Sequence, residues 1–319
     1  MEHPAGTADT GAGSGNGPDR SADPLRVRAA LVAVQLLFGI HYLVAKWIVD
    51  ELEPAAWACL RVCGSFLVLA LIARLGRRAF PPWRDTLYLG FCSLFGVILN
   101  QALFLEGIKR TTVGHAALIN SQIPTFALLA ALVFQQERLT PRKAFSFAAG
   151  IAGVLVLLEA DRLQLSGAYL HGDLLNLANA FSYGLFIVLS RRVMARHDPL
   201  AATTVIFLFG SAGMLLYGGD NLLTADLGTI SSRAVGGMVF AILGATVLTY
   251  YLNYWALKRT HASYVALYIF LQPVVAAVLG IWIMGDVLTP RFVVATLLVF
   301  LALLLRDTTL PDRTLARNR

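Results

Sequence analysis

Two stretches of this chain are versions of one another. Lys109-Arg110-Thr111 opens the first and Leu139-Thr140-Pro141-Arg142 closes it. Lys258-Arg259-Thr260 opens the second and Leu288-Thr289-Pro290-Arg291 closes it. The offset is 149 at both ends (258 − 109 and 288 − 139), so the copies align without a gap. At the same offset Ala117-Leu118 matches Ala266-Leu267, Pro124 matches Pro273, Ala127 matches Ala276, and Glu137 matches Asp286. Each copy is apolar between its basic start and its acidic residue, with a proline near the centre. A repeat of this length restricts the chain to folds made of two related units.

The material between the charged ends restricts it further. Of 319 residues 57% are hydrophobic and 14% charged, where soluble domains carry roughly a quarter charged residues. Mean hydropathy is +0.66, and the apolar residues come in long runs. Cys59, Cys63 and Cys92 lie in such runs. Cys59 and Cys63 share a helical face but lack the further ligands of a metal site, so all three read as small buried hydrophobes and no metal or other cofactor is expected. The net charge of +7 does not point to nucleic acid, because the basic residues alternate with membrane-length segments. Residues 1–24 are Gly, Ala, Ser, Thr, Asp and Pro with almost no large apolar side chain, which predicts a disordered tail. That tail lacks the basic start and apolar centre of a signal peptide, so the first apolar segment is expected to persist as a membrane helix.

A helix crossing about 30 Å of hydrocarbon needs about 20 residues. Ten segments qualify: 29–49, 54–74, 84–106, 112–134, 141–159, 171–191, 199–217, 235–257, 261–283 and 289–306. With ten spans, Arg26, Arg28, Arg74, Arg77, Arg78, Arg84, Arg138, Arg142, Lys143, Arg191, Arg192, Arg196, Lys258, Arg259, Arg306, Arg313, Arg317 and Arg319 fall on one side. The other side holds Lys109, Arg110, Arg162, Arg233 and Arg291, with Asp50, Glu51 and Glu53 in its first loop. The basic side is the cytoplasmic one, which places both termini there. Each copy of the repeat then holds an odd number of spans, five, so the second must enter the bilayer upside down. The expected fold class is an all-α polytopic membrane protein with ten transmembrane helices in two inverted five-helix repeats. Its parts are a tail over 1–24, repeats over 25–160 and 161–308, and a second cytoplasmic tail over 309–319.

Inverted repeats build many secondary transporters, since equivalent halves can exchange conformations and open alternately to each side. Pro124 and Pro273 lie near the midpoints of spans four and nine. Each removes a backbone donor and frees the carbonyl four residues earlier, at Asn120 and Ile269. Matching breaks of this kind point to a central site, with a simple packed kink as the plainer alternative. Polar residues also form helical stripes: Tyr264, Tyr268 and Gln272; Thr246, Thr249, Tyr250 and Asn253; Asn176, Asn179 and Tyr183. Asn100-Gln101 match Thr249-Tyr250 across the repeat, and Asn120 and Gln122 add amides to span four. A single stripe could serve hydrogen bonding between helices; stripes on several helices favour a shared wet cavity.

Four ionisable groups stand apart. His41, near the middle of span one, can titrate near neutral pH, or stay neutral on a helix carbonyl. Lys46 sits near the end of that span, where it could line the path or snorkel to the interface. Arg61, about 10 Å into span two by helix rise, is expected to bond backbone carbonyls. Glu106 is expected to pair with Lys109 or Arg110 at the rim. The candidate substrate contacts are therefore His41, Lys46, Asn100, Gln101, Asn120, Gln122, Asn176, Asn179, Tyr183, Thr249, Tyr250, Asn253, Tyr264, Tyr268 and Gln272, with helix breaks at Pro124 and Pro273.

The chain resembles the EamA-type members of the drug/metabolite transporter superfamily over about residues 30–306. The carriers are Phe38-Gly39 to Lys46 in span one, Pro54 to Arg61 entering span two, the two repeated stretches, and Leu189-Ser190-Arg191-Arg192 with Asp198-Pro199. Span one departs from the commoner motif by carrying His41-Tyr42 where small or amide residues are frequent. The resemblance implies a carrier of small metabolites in a bacterial inner membrane. An enzyme is disfavoured: there is no Gly-x-Ser-x-Gly, no His-Glu cluster, no paired intramembrane Asp, and no Gly-x-x-x-x-Gly-Lys for nucleotide-driven pumping. The expected function is secondary-active transport by alternating access, in the export direction. The expected cargo is amino acids or similar weakly charged metabolites with an apolar part, held by amides, hydroxyls and tyrosine faces. Expected partners are that substrate and the lipid bilayer, with protons as candidate coupling ion and a homodimer as candidate assembly. The alternatives are an antiporter of phosphorylated sugars or nucleotide sugars, and a membrane scaffold that moves nothing.

Overall fold

In the computed structural model the described residues are 24–111, 116, 119–157, 167–279 and 290–307. They are helical, with short turns and no strand among the described residues. Helix α1 is Pro24–Glu51, α2 Pro54–Leu75, α3 Trp83–Arg110, α4 Ile123–Val133, α5 Pro141–Leu157, α6 Gly167–Met194, α7 Pro199–Thr224, and α8 Ser232–Leu257. Helix α9 covers 262–279 and α10 is Pro290–Asp307. Six of these, α1, α2, α3, α6, α7 and α8, are long and apolar enough to cross a membrane. The chain is a multi-pass membrane protein. Six is fewer than the ten expected; the shortfall falls on α4, α5, α9 and α10, whose neighbouring residues 112–115, 158–166 and 280–289 lie outside the described residues. Both expected tails, apart from residue 24, and Asp286 lie outside them too.

Helix starts follow the local sequence. Pro54, Pro141, Pro199 and Pro290 each open a helix, where the missing N–H costs nothing. Asp198 caps α7 by accepting from the N–H groups of Leu200 and Ala201 at 3.0 and 3.1 Å. Ser231 caps α8 through Ala234 N–H and is itself held by Glu51, whose two oxygens accept from its N–H and hydroxyl at 2.8 and 2.7 Å. Helices α2 and α4 end on left-handed residues that are not glycine, Arg77 (φ 47°) and Gln135 (φ 52°). At each end the following N–H bonds back to a carbonyl five residues earlier, Arg78 to Ala73 and Gln136 to Ala131.

The surface and interior are reversed relative to a soluble protein. Leu67, Leu71, Leu215, Leu216 and Leu223 face outward on α2 and α7, Leu216 being 92% exposed. Gln35, His41, Arg61, Asn120, Asn176 and Asn179 are buried. Apolar side chains outside suit a lipid solvent, and polar groups inside must find partners or line a cavity.

The packing interleaves the chain's two halves. Helix α2 lies along α7, and α5 along α10. Helix α6 packs against α3 and α4, and α1 packs against α8 and α9. Each of these contacts joins a segment before residue 160 to one after 166. Helices α2 and α7 approach closely enough that a Cβ on Gly218 would overlap the Ala55 carbonyl. Two helices also carry a π turn, Leu94–Ile98 in α3 and Leu243–Leu248 in α8. Their starts are 149 residues apart (243 − 94), the offset of the sequence repeat.

Candidate functional site

A cavity lies between the halves. Counted out to the open space at its edge it occupies about 850 Å³, and α1, α2, α3, α4, α6, α8 and α9 all contribute to its wall. Its lining is largely aromatic and amide: Phe38, Phe104, Tyr183, Phe186, Tyr250 and Tyr254 beside Gln35, Asn100, Gln101, Asn120, Asn179, Asn253 and Gln272. Among the described residues, none that lines it is Asp or Glu.

The charge in that wall is Arg61, 2% exposed. Its Nε donates to Thr246 Oγ1 at 2.8 Å, and Nη1 to His41 Nε2 at 2.8 Å and Gln101 Oε1 at 3.0 Å. Nη2 reaches the Ala245 carbonyl at 3.4 Å. That carbonyl sits in the α8 π turn, where i→i+5 pairing loosens the ordinary helical ladder. Its counterpart in the α3 π turn, Gly96 (245 − 149), accepts the Tyr250 hydroxyl at 2.9 Å. The repeated π turns thus aim two equivalent carbonyls at two side chains of the site.

Arginine only donates, and this sets the direction of a whole series. Gln101 must present its oxygen to Arg61, leaving Nε2 to donate to Asn100 Oδ1 at 3.4 Å. Asn100 then donates to Asn179 Oδ1 at 2.8 Å, and Asn179 to Asn120 Oδ1 at 2.9 Å. The chain of amides polarises in one sense away from the guanidinium. By the same logic His41 Nε2 must accept, so the ring is neutral with its proton on Nδ1. That Nδ1 is buried with no hydrogen-bond partner among the described residues. A second group ties α1 to α9: Gln272 donates to Gln35 Oε1 at 2.7 Å, and Tyr42 to Gln272 Oε1 at 3.2 Å.

Of the candidate contacts, His41, Asn100, Gln101, Asn120, Asn179, Tyr183, Tyr250, Asn253 and Gln272 line the cavity. The other six lie off it. Lys46 pairs with Asp50 at 3.2 Å at the end of α1. Gln122 contacts Ser121 and Thr125. Asn176 bonds the Gly172 carbonyl and packs where a Cβ on Gly107 would collide with it. Thr249 donates to the carbonyls of Ala245 and Thr246, and the Tyr264 and Tyr268 hydroxyls lie 3.1 Å apart. Pro124 follows a turn at Ser121-Gln122, and Pro273 follows a 3₁₀ turn at Tyr268–Phe270, so both helices are interrupted just before the matching prolines. Sequence reasoning missed Gln35, Tyr42 and Tyr254. It also expected Arg61 to bond backbone carbonyls, whereas three of its four acceptors are side chains on α1, α3 and α8.

Each end of the molecule is tied across the halves. At one end Arg78 meets Asp198 at 3.3 Å, and Asp85 meets Arg196 at 3.2 Å and His197 at 2.6 Å; within the second half Lys258 donates to the His197 carbonyl at 2.9 Å. There Glu137 accepts from Ser263 N–H at 3.2 Å, from its hydroxyl at 2.6 Å, and from Lys143 at 2.9 Å. Burial opposes ionisation of Glu137, but these bonds and the nearby Lys143 and His261 outweigh it and bring the carboxyl down from 4.5 to about 2. At the other end Thr111 donates to Asp173 at 2.6 Å and Tyr217 to Glu106 at 3.0 Å. Glu106 also pairs with Arg110, and Lys109 meets Glu53 at 3.0 Å.

Comparison with known proteins places this arrangement. Residues 28–159 and 170–306 each match the EamA-like transporter family. The chain belongs to that family. Among its EamA-like relatives, an uncharacterized transporter from Archaeoglobus fulgidus is 25% identical over 83% of this chain and 93% of its own. A probable amino-acid metabolite efflux pump from Salmonella typhimurium is 27% identical over 85% of this chain and 91% of its own. A crystal structure at 21% identity shares the fold with a TM-score of 0.70, covering 91% of this EamA-like chain and 98% of that one.

Proposed function

We propose that this EamA-like protein is a secondary carrier of small organic metabolites. It would alternate the central cavity between the two sides of a bacterial inner membrane by rocking one five-helix repeat against the other. The observation that carries the reading is that every side-chain bond described around the cavity, from Arg61, Tyr250, Asn179 and Gln272, joins the two halves, apart from those of Arg61 with His41 and Gln101 and of Gln101 with Asn100. A ligand seated there touches both moving parts, as alternating access requires. The π turns at the repeat offset, the paired interruptions before Pro124 and Pro273, and the two separate family matches support ten spans in two inverted repeats, divided near residue 160. The arginine-rich loops at the Arg78–Asp198 end support a cytoplasmic location for that end and for both termini.

Amino acids or similar small metabolites are the proposed cargo. Amides and aromatic faces support it, as does the name of the Salmonella relative. The proposed direction is export and the proposed coupling ion the proton. The test is counterflow in proteoliposomes with and without a proton gradient. Labelled amino acids should exchange saturably and be displaced by excess unlabelled amino acid but not by sugar phosphates. Saturable exchange of a sugar phosphate or nucleotide sugar in place of amino acids would overturn this cargo.

A further inference from the structure

We propose that the cavity's required ligand group is a carboxylate, seated against Arg61. This deepens the carrier reading and rests on it. The guanidinium is buried at membrane depth, and no carboxylate lies within 4.0 Å of it among the described residues. All four of its acceptors are neutral. A buried cation without a counter-charge is costly in a low-dielectric interior, and the acid-free lining offers none from the wall. The counter-charge has to arrive with the ligand.

The hydrogen-bond directions point the same way. Because Arg61 forces His41 to accept at Nε2, the imidazole holds a buried N–H at Nδ1 with nothing among the described residues to receive it. Arg61 Nη2 has only the long contact to the Ala245 carbonyl among the described residues, so it too can take a better acceptor. A carboxylate accepts at both oxygens and suits the open Arg61 donor, and an acceptor on the far side of the imidazole ring would take the His41 N–H. An ammonium finds the reverse. It brings more donors and a second positive charge to a wall whose described residues include no acid. A zwitterion therefore binds through its carboxylate, and amines that lack one are poor ligands. The rings of Phe38, Phe104, Tyr183 and Tyr250 line the rest of the cavity and suit an apolar body.

The test measures binding to the purified, unaltered protein in nanodiscs with four probes of one shape. These are 3-phenylpropionate (acid alone), phenylalanine (acid and amine), phenylalaninamide (amine alone) and 3-phenylpropionamide (neither). Both acids should bind on the order of ten- to a hundredfold more tightly than the matching amides, the usual span for a hydrogen bond to a charged group. In Arg61→Gln that preference should vanish. If this variant does not fold, the comparison on the unaltered protein still decides. Equal affinity for acid and amide, or tighter binding of the amines, overturns the carboxylate seat and leaves carriage standing. Acid preference without flux of any solute overturns carriage and leaves the seat standing.

Discussion

Glu137 shows how one side chain can tie the two halves together. It sits just beyond α4 and binds the first turn of α9 through Ser263, with Lys143 as its cation. Its carboxyl is lowered from 4.5 to about 2, which corresponds to roughly 3 kcal/mol of stability. A carboxylate whose folded value is depressed contributes fully above its unfolded value and loses the contribution as pH falls through the folded one. The stability difference between the unaltered protein and Glu137→Gln should therefore be about 3 kcal/mol at pH 7 and shrink between pH 4.5 and about 2. Denaturant unfolding in detergent at several pH values measures it; a difference that does not change with pH would contradict the assignment. Glu137 was legible in the sequence as the acidic end of a repeat. Its partner was not, because Ser263 is 126 positions away. Arg61 was likewise visible by depth, while its acceptors on three other helices were not.

At the scale of helices, periodicity read the faces well where the helix is regular and failed where it is not. Tyr264, Tyr268 and Gln272 have the spacing of one α-helical stripe, but a 3₁₀ turn at Tyr268–Phe270 winds the chain more tightly. The residues of α9 that line the cavity are instead Val265, Ile269 and Gln272. The π turn of α8 similarly sets Thr249 on its own backbone while Tyr250, Asn253, Tyr254 and Leu257 face the cavity. Tyr254 could have been found, four residues on from Tyr250. Helix ends were harder still, since neither Arg77 nor Gln135 advertises a left-handed turn. Gln135 at φ 52° carries strain that glycine would not. Gln135→Gly should raise stability by about 1 kcal/mol, seen as a higher midpoint in thermal unfolding; a lower midpoint would contradict the strain.

At the scale of the molecule, the apolar runs implied the membrane class and the 149-residue offset implied two related halves. How the halves interleave was not legible, because a repeat fixes equivalence and not contact. The pairing of α2 with α7 and of α5 with α10, and the cavity between, emerge only in three dimensions. The central claim is that this cavity opens to each side of the membrane in turn. Cysteine accessibility tests it most directly. With Cys59, Cys63 and Cys92 replaced by alanine, a single Asn253→Cys is placed in oriented vesicles and treated with a membrane-impermeant thiol reagent from one side, then the other. The account predicts labelling from both sides, slowed by saturating transported solute. Labelling from one side only, in a variant that still exchanges solute, would contradict it.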